Sequence, residues 1–186
     1  MTDESGRAKD LHINTVVFFG ELAELRRRLA AGADPNDDID GHTLLMVVAE
    51  ESGDYGDTEV AIMEALLAAG ADVQRVDRTG RTALHGAAGI GNEAAVVRLL
   101  EAGCDPNQQA FDGSTPLHDA ARGVWVRTIE LLLAAGSRVD LDDETGATPL
   151  DVAEGLAKVH EPEKSDAIQV LRGTAARPSG ESPPDR

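Results

Sequence analysis

Apolar residues along this 186-residue chain fall into short runs at helical spacing, separated by polar stretches that carry glycine and aspartate, and the runs recur. One pattern reads Gly41-His42-Thr43-Leu44-Leu45, Gly80-Arg81-Thr82-Ala83-Leu84-His85, Gly113-Ser114-Thr115-Pro116-Leu117-His118 and Gly146-Ala147-Thr148-Pro149-Leu150-Asp151. Its glycines are 39, 33 and 33 residues apart. A second pattern runs in phase with it: Leu29 to Gly32-Ala33-Asp34, Leu66-Leu67 to Gly70-Ala71-Asp72, Leu99-Leu100 to Gly103-Cys104-Asp105, and Leu132-Leu133 to Gly136. A fixed period of this size marks a solenoid, in which each unit packs only on its neighbours. The leucines at 99, 100, 131, 132 and 133 then form a buried stripe between helical layers.

Local chemistry places the helix ends. Thr82, Thr115 and Thr148 suit N-caps, because a short hydroxyl can accept from the open N–H groups of a first turn. Pro116 and Pro149 follow at the first helical position, where a missing N–H costs nothing. Gly70, Gly103 and Gly136 follow leucine-rich helices and fit a left-handed C-terminal cap. The alanine pairs Ala87-Ala88 and Ala120-Ala121 allow close helix approach. At the chain ends the pattern loosens. Leu11 to Phe19 and Glu21 to Ala31 read as two helices, with Arg26, Arg27 and Arg28 suiting the negative end of the second. Gly155 to Asp166 reads as an irregular link, and Ala167 to Arg172 as a closing helix.

These motifs resemble the ankyrin repeat family, whose unit opens a helix on Thr-Pro-Leu-His and ends a second helix on Leu-Leu before Gly-Ala-Asp. Thr115-Pro116-Leu117-His118 and Thr82-Ala83-Leu84-His85 match well, Thr148-Pro149-Leu150-Asp151 loses the histidine, and Thr43-Leu44-Leu45-Met46 matches weakly. The resemblance implies an all-α solenoid of stacked helix-turn-helix units with projecting β-turn or hairpin loops. It divides residues 8–173 into five units, about 8–36, 37–74, 75–107, 108–140 and 141–173. Residues 1–7 are read as a disordered N-terminus and 174–186 as a disordered tail rich in Pro, Ser and Gly.

Charge narrows the partners. The net charge of −17 argues against nucleic-acid backbones and anionic membranes, and favours a basic protein partner or simply solubility. No apolar stretch reaches the ~18 residues of a membrane span, and no apolar N-terminal run suggests a leader. A single cysteine, Cys104, forms no internal disulfide, so a reducing cytoplasm is the expected compartment.

Three motifs look chemical. Gly89-Ile90-Gly91-Asn92-Glu93-Ala94 satisfies a dinucleotide fingerprint, yet that fingerprint needs a preceding strand, and Thr82 to Ala88 is predicted helical. Asp140 to Gly146 and Asp34 to Gly41 resemble calcium loops, but from Asp140 the glycine comes one place late and position 12 is Asp151. His85 and His118 occupy equivalent places in adjacent layers, ~8–10 Å apart, too far for one zinc ion at ~2.0–2.1 Å from each. They are read as bonding backbone groups between turns. Neither a catalytic group, a cofactor nor a metal is therefore expected.

Ankyrin-like proteins bind through turn tips and the exposed face of the first helix. Carried over by position, the second unit offers Ile39, Asp40 and His42, with Tyr55 from an acidic insertion of six residues within Glu50 to Thr58. The third offers Arg78, Thr79, Arg81 and Ile90; the fourth Phe111, Asp112, Ser114, Arg122 and Trp125; the fifth Glu144. Phe111 at a turn tip is the candidate anchor. Arg78, Arg81 and Arg122 form a basic island that either grips carboxylates or pairs with Asp77 and Asp112. Trp125 is either a binding hot spot or a cover for the layer edge. The expected role is a non-catalytic protein-interaction module, monomeric or weakly self-associating, in its narrower form an inhibitor or immunity-type protein for a basic partner. The alternative is an enzyme or small-molecule binder using the Asp- and His-rich turns.

Overall fold

A computed structural model describes residues 21–51, 57–156 and 162–175. The expected helix Leu11–Phe19, residues 1–7, Tyr55 and most of the acidic insertion lie outside the described residues, as does the tail beyond Ala175. The described chain runs α1 (Leu22–Ala30), β1 (Asp38–Ile39), β2 (His42–Thr43), α2 (Leu44–Ala49), α3 (Asp57–Ala68), α4 (Ala83–Ile90), α5 (Glu93–Glu101), α6 (Pro116–Gly123), α7 (Val126–Ala134), α8 (Pro149–Leu156) and α9 (Pro162–Ala175). Inner helices α2, α4, α6 and α8 pack in a row, and outer helices α1, α3, α5, α7 and α9 form a second row behind them. The all-α repeat solenoid expected from the period is the fold.

The core is built from leucines and alanines. Of the five leucines expected in the stripe, Leu99 and Leu132 are fully buried, whereas Leu100, Leu131 and Leu133 are half-buried against the core, because only one side of each outer helix faces the inner row. Leu66, Leu84, Leu99, Leu117, Leu132 and Leu171 are fully buried, and so are Ala87, Ala88, Ala120 and Ala121, where inner helices touch. The outer helices α1, α3, α5 and α7 end the same way. At the end of α5, Cys104 N–H donates to Leu99 O and Gly103 N–H to Leu100 O, both at 3.0 Å. This double bond closes only if the residue between is left-handed, and Gly103 has φ +87°. Ala71 and Ser137 repeat the first bond at 3.0 Å.

Two helix ends differ from the sequence expectation. The closing helix begins at Pro162 rather than Ala167, inside the stretch read as irregular, because proline suits a first helical position that hydrophobic spacing cannot mark. It also continues to Ala175, two residues into the stretch read as a disordered tail, with Thr174 Oγ1 donating to Val170 O at 3.1 Å.

The loops that join units are stitched across layers. Asp72 N–H donates to Asn36 Oδ1 at 2.7 Å, Gln74 Nε2 donates to Gly103 O at 2.9 Å, and Asn107 Nδ2 donates to Gly136 O at 3.1 Å while its Oδ1 accepts from Arg138 N–H at 2.7 Å. One amide side chain per unit thus satisfies backbone groups of the next helix cap. In the fourth unit the matching position is Asp140, which instead holds Arg138 at 2.9 Å. No glycine cap of a further unit follows it in the described chain.

Candidate functional site

The turn tips are closed by their aspartates, which fold back on their own backbone. Asp77 Oδ1 accepts from Thr79 N–H at 2.7 Å and Arg81 N–H at 3.0 Å. Asp112 Oδ1 accepts from Ser114 N–H at 3.0 Å and its hydroxyl at 2.6 Å. Asp143 Oδ1 accepts from Thr145 N–H at 2.8 Å and Ala147 N–H at 3.1 Å. The Ser114 hydroxyl lowers the pKa of Asp112, and the Thr145 hydroxyl that of Asp143. Burial works to raise Asp77, but hydrogen bonds from Thr79 and Arg81 outweigh it and leave it lowered. Both aspartate runs that resemble calcium loops form turns in this way, Asp143 in one and, in the other, Asp34 Oδ1 accepting from Asn36 N–H and Asp38 Oδ1 from Gly41 N–H, each at 2.8 Å. Among the described residues no group of three or more His, Cys, Asp or Glu is placed to hold a metal ion.

The two histidines link each inner helix to the next tip. Thr82 N–H donates to His85 Nδ1 at 3.1 Å, while Nε2 lies 3.2 Å from Ser114 O. A carbonyl oxygen only accepts, so Nε2 carries the proton and the ring is neutral. Burial lowers the His85 pKa, consistent with that state. His118 repeats the arrangement with Thr115 N–H at 3.0 Å and Ala147 O at 3.0 Å. Asp151 takes the histidine's place in the last inner helix. It accepts from Thr148 N–H at 2.9 Å, and its own N–H donates to Thr148 Oγ1 at 3.2 Å. The cap survives, and the bond to a following tip is dropped. The motif Gly89 to Ala94 lies at the end of α4 and the turn to α5, preceded by a helix and not by a strand.

Ile39, Arg78, Phe111 and Glu144 each stand two residues before the tip glycine, so they occupy one place in four successive tips. All four are exposed, Ile39 to 55% and Phe111 to 75%. Backbone bonds step along the row: Phe111 N–H donates to Thr79 O at 2.9 Å and Glu144 N–H to Asp112 O at 2.7 Å. Arg78 reaches back over Gly41 to Asp40 at 3.0 Å. Asp40 is itself left-handed, φ +58°. His42 Nε2 lies 3.1 Å from Glu50 and its Nδ1 3.8 Å from Asp77.

Three candidates change character in the structure. Ser114, expected on the surface, is 1% exposed, because its hydroxyl turns in to Asp112 and its carbonyl faces His85. Arg81 and Arg122 are not a loose basic island: both bind Asp119, Arg122 at 2.7 Å, and Arg81 also lies 3.9 Å from Asp112. The hub, Asp119, is 3% exposed and was not a sequence candidate. Its only sequence signal is an acid on the inner face of α6, at the place Gly86 holds in α4 and Val152 in α8. Trp125 covers the layer edge. It holds the position of Asn92, whose side chain caps α5, but the indole lies across to the preceding unit, where Nε1 donates to Gly89 O at 2.9 Å. A Cβ on Gly91 or Gly123 would collide with it. Ile90 is half-buried beside this edge.

Among the described residues no helix is long and apolar enough to cross a membrane. No curated protein matches the chain in sequence. A family model described as "Ankyrin repeats (3 copies)" matches residues 13–110 and 87–161. With its threonine caps, histidine links and left-handed glycine ends repeating in register over those same residues, the chain belongs to the ankyrin repeat family.

Proposed function

We propose that this protein is a non-catalytic protein-interaction module that acts as a monomer in the cytoplasm, and that it holds a basic partner against its turn tips and inner helix face. Ankyrin repeats are generally protein-binding units. The observation that carries the reading is the tip row itself. A regular backbone presents Ile39, Arg78, Phe111 and Glu144 at one place, an apolar, a basic, an aromatic and an acidic side chain in turn. A scaffold needs no such variation, whereas recognition of one partner does. Asp40, His42, Thr79 and Asp112 border this row, and the Arg81–Asp119–Arg122 cluster lies on the helix face beside it.

The net charge of −17 supports a basic partner, and an inhibitor or immunity-type role is the form such binding would take. Small-molecule chemistry in the turns is less well supported, since Asp77, Asp112 and Asp143 spend their carboxylates on their own turns. The test is a tagged pull-down from native lysate beside an Arg78→Glu/Phe111→Ala variant, washed at low and at molar salt. One stoichiometric basic protein, lost in the variant and released by salt, is the expected result. Retention by the variant at molar salt would remove both the tip site and the electrostatic reading.

A further inference from the structure

We infer that the exposed ring of Phe111 and the carboxylates of the following tip form a seat for one cationic side chain, an arginine or lysine, of the partner. This rests on the reading of a basic protein partner and gives it a place. Phe111 is fixed from behind. Its N–H is bonded to Thr79 O at 2.9 Å, and a Cβ on Gly80 would lie 2.6 Å from its Cδ1 and 2.9 Å from its Cε1. One side of the ring therefore rests on the bare backbone of Gly80, and the rest is open, 75% exposed. An aromatic face carries partial negative charge and attracts a cation placed over it.

The flanks decide the sign of the occupant. On the N-terminal side Arg78 is drawn away over Gly41 to Asp40. On the C-terminal side Glu144 N–H is bonded to Asp112 O at 2.7 Å, which sets the next tip against Phe111's own. That tip exposes Asp142 and Glu144, and among the described residues neither carboxylate has an ion-pair partner. An apolar plug on Phe111 would strip water from these carboxylates without compensation, and an anion would be repelled. A guanidinium or ammonium over the ring would instead be attracted by both the ring face and these carboxylates.

The probe is a soluble octapeptide with one central arginine among glycines and serines, compared with its citrulline counterpart, which keeps the shape and loses the charge. Amide chemical shifts of the full chain are followed by NMR at low salt. The arginine peptide should shift residues 111–113 and 144–146, and the citrulline peptide should not. Phe111→Leu should weaken binding about two- to fivefold, and Asp142→Asn/Glu144→Gln should weaken it and flatten its salt dependence. A footprint at another acidic site, or equal affinity in Phe111→Leu, would overturn the seat while leaving a basic partner tenable. The pull-down judges that wider reading separately. No shift with the arginine peptide at any tip would overturn the seat as well.

Discussion

The indole N–H of Trp125 donates to the carbonyl oxygen of Gly89 at 2.9 Å, joining the ends of two successive inner helices. The contact depends on Gly91, which is left-handed at φ +74° and has no side chain to block the ring. Gly91→Ala should destabilise the fold by about 1–3 kcal/mol, from backbone strain and collision together. In a Trp125→Ala background the same change should cost less, because the collision is gone. Urea midpoints of the four proteins, followed by circular dichroism so that loss of the only tryptophan does not matter, check this. Additive penalties would mean that the ring and Gly91 do not couple.

Asp119 ties Arg81 of one tip to Arg122 of its own helix while almost fully buried. Asp119→Ala should lower stability by about 1.5–3 kcal/mol, the range for a lost hydrogen bond to a charged group. Asp119→Asn keeps an acceptor and should recover part of that. If both variants match the parent in urea, the guanidiniums are held by something other than this carboxylate.

Stability should decline with acid in two stages. Burial lowers the folded pKa of His85 below the ordinary 6.5, so the unfolded chain takes up this proton first. Its contribution is complete above pH 6.5 and is lost as pH falls from there toward the folded value. The turn aspartates come later. Asp143, bonded by the Thr145 hydroxyl, and Asp151, bonded by the Thr148 hydroxyl, have folded values below the ordinary 3.8. Their contribution stands above 3.8 and is lost as pH drops through those lower values. Urea midpoints from pH 8 to pH 2 measure both stages. His85→Gln should shrink the decline that sets in below pH 6.5 and leave the lower one in place.

Cys104 should be inert in the native protein. Burial pushes its thiol up to about 11, and Sγ lies 3.3 Å from Val73 O as a weak donor. At pH 8 it is almost wholly protonated, and the thiolate is the reactive form. Labelling with a chromogenic disulfide should be slow in buffer and rise steeply through the urea transition. Fast labelling of folded protein would show that this layer opens locally.

The sequence by itself determined the solenoid, because a period of 33 residues, lengthened to 39 once, recurs in the caps, turns and core leucines, and each of these is a short-range structure. It determined the exposed place of Phe111 and Arg78 for the same reason: a tip position is exposed whatever residue occupies it. Tertiary structure decided what the side chains do between units. Asp119 reaching Arg81 across 38 residues, Trp125 lying on Gly89 across 36, and Asn107 stitching Gly136 across 29 are contacts between layers. Hydrophobic period does not encode them, since a polar side chain can turn toward either neighbour. Ser114 shows the same limit. Its place beside a tip glycine suggested surface, and only the inward turn toward Asp112, beneath the imidazole of His85, buried it.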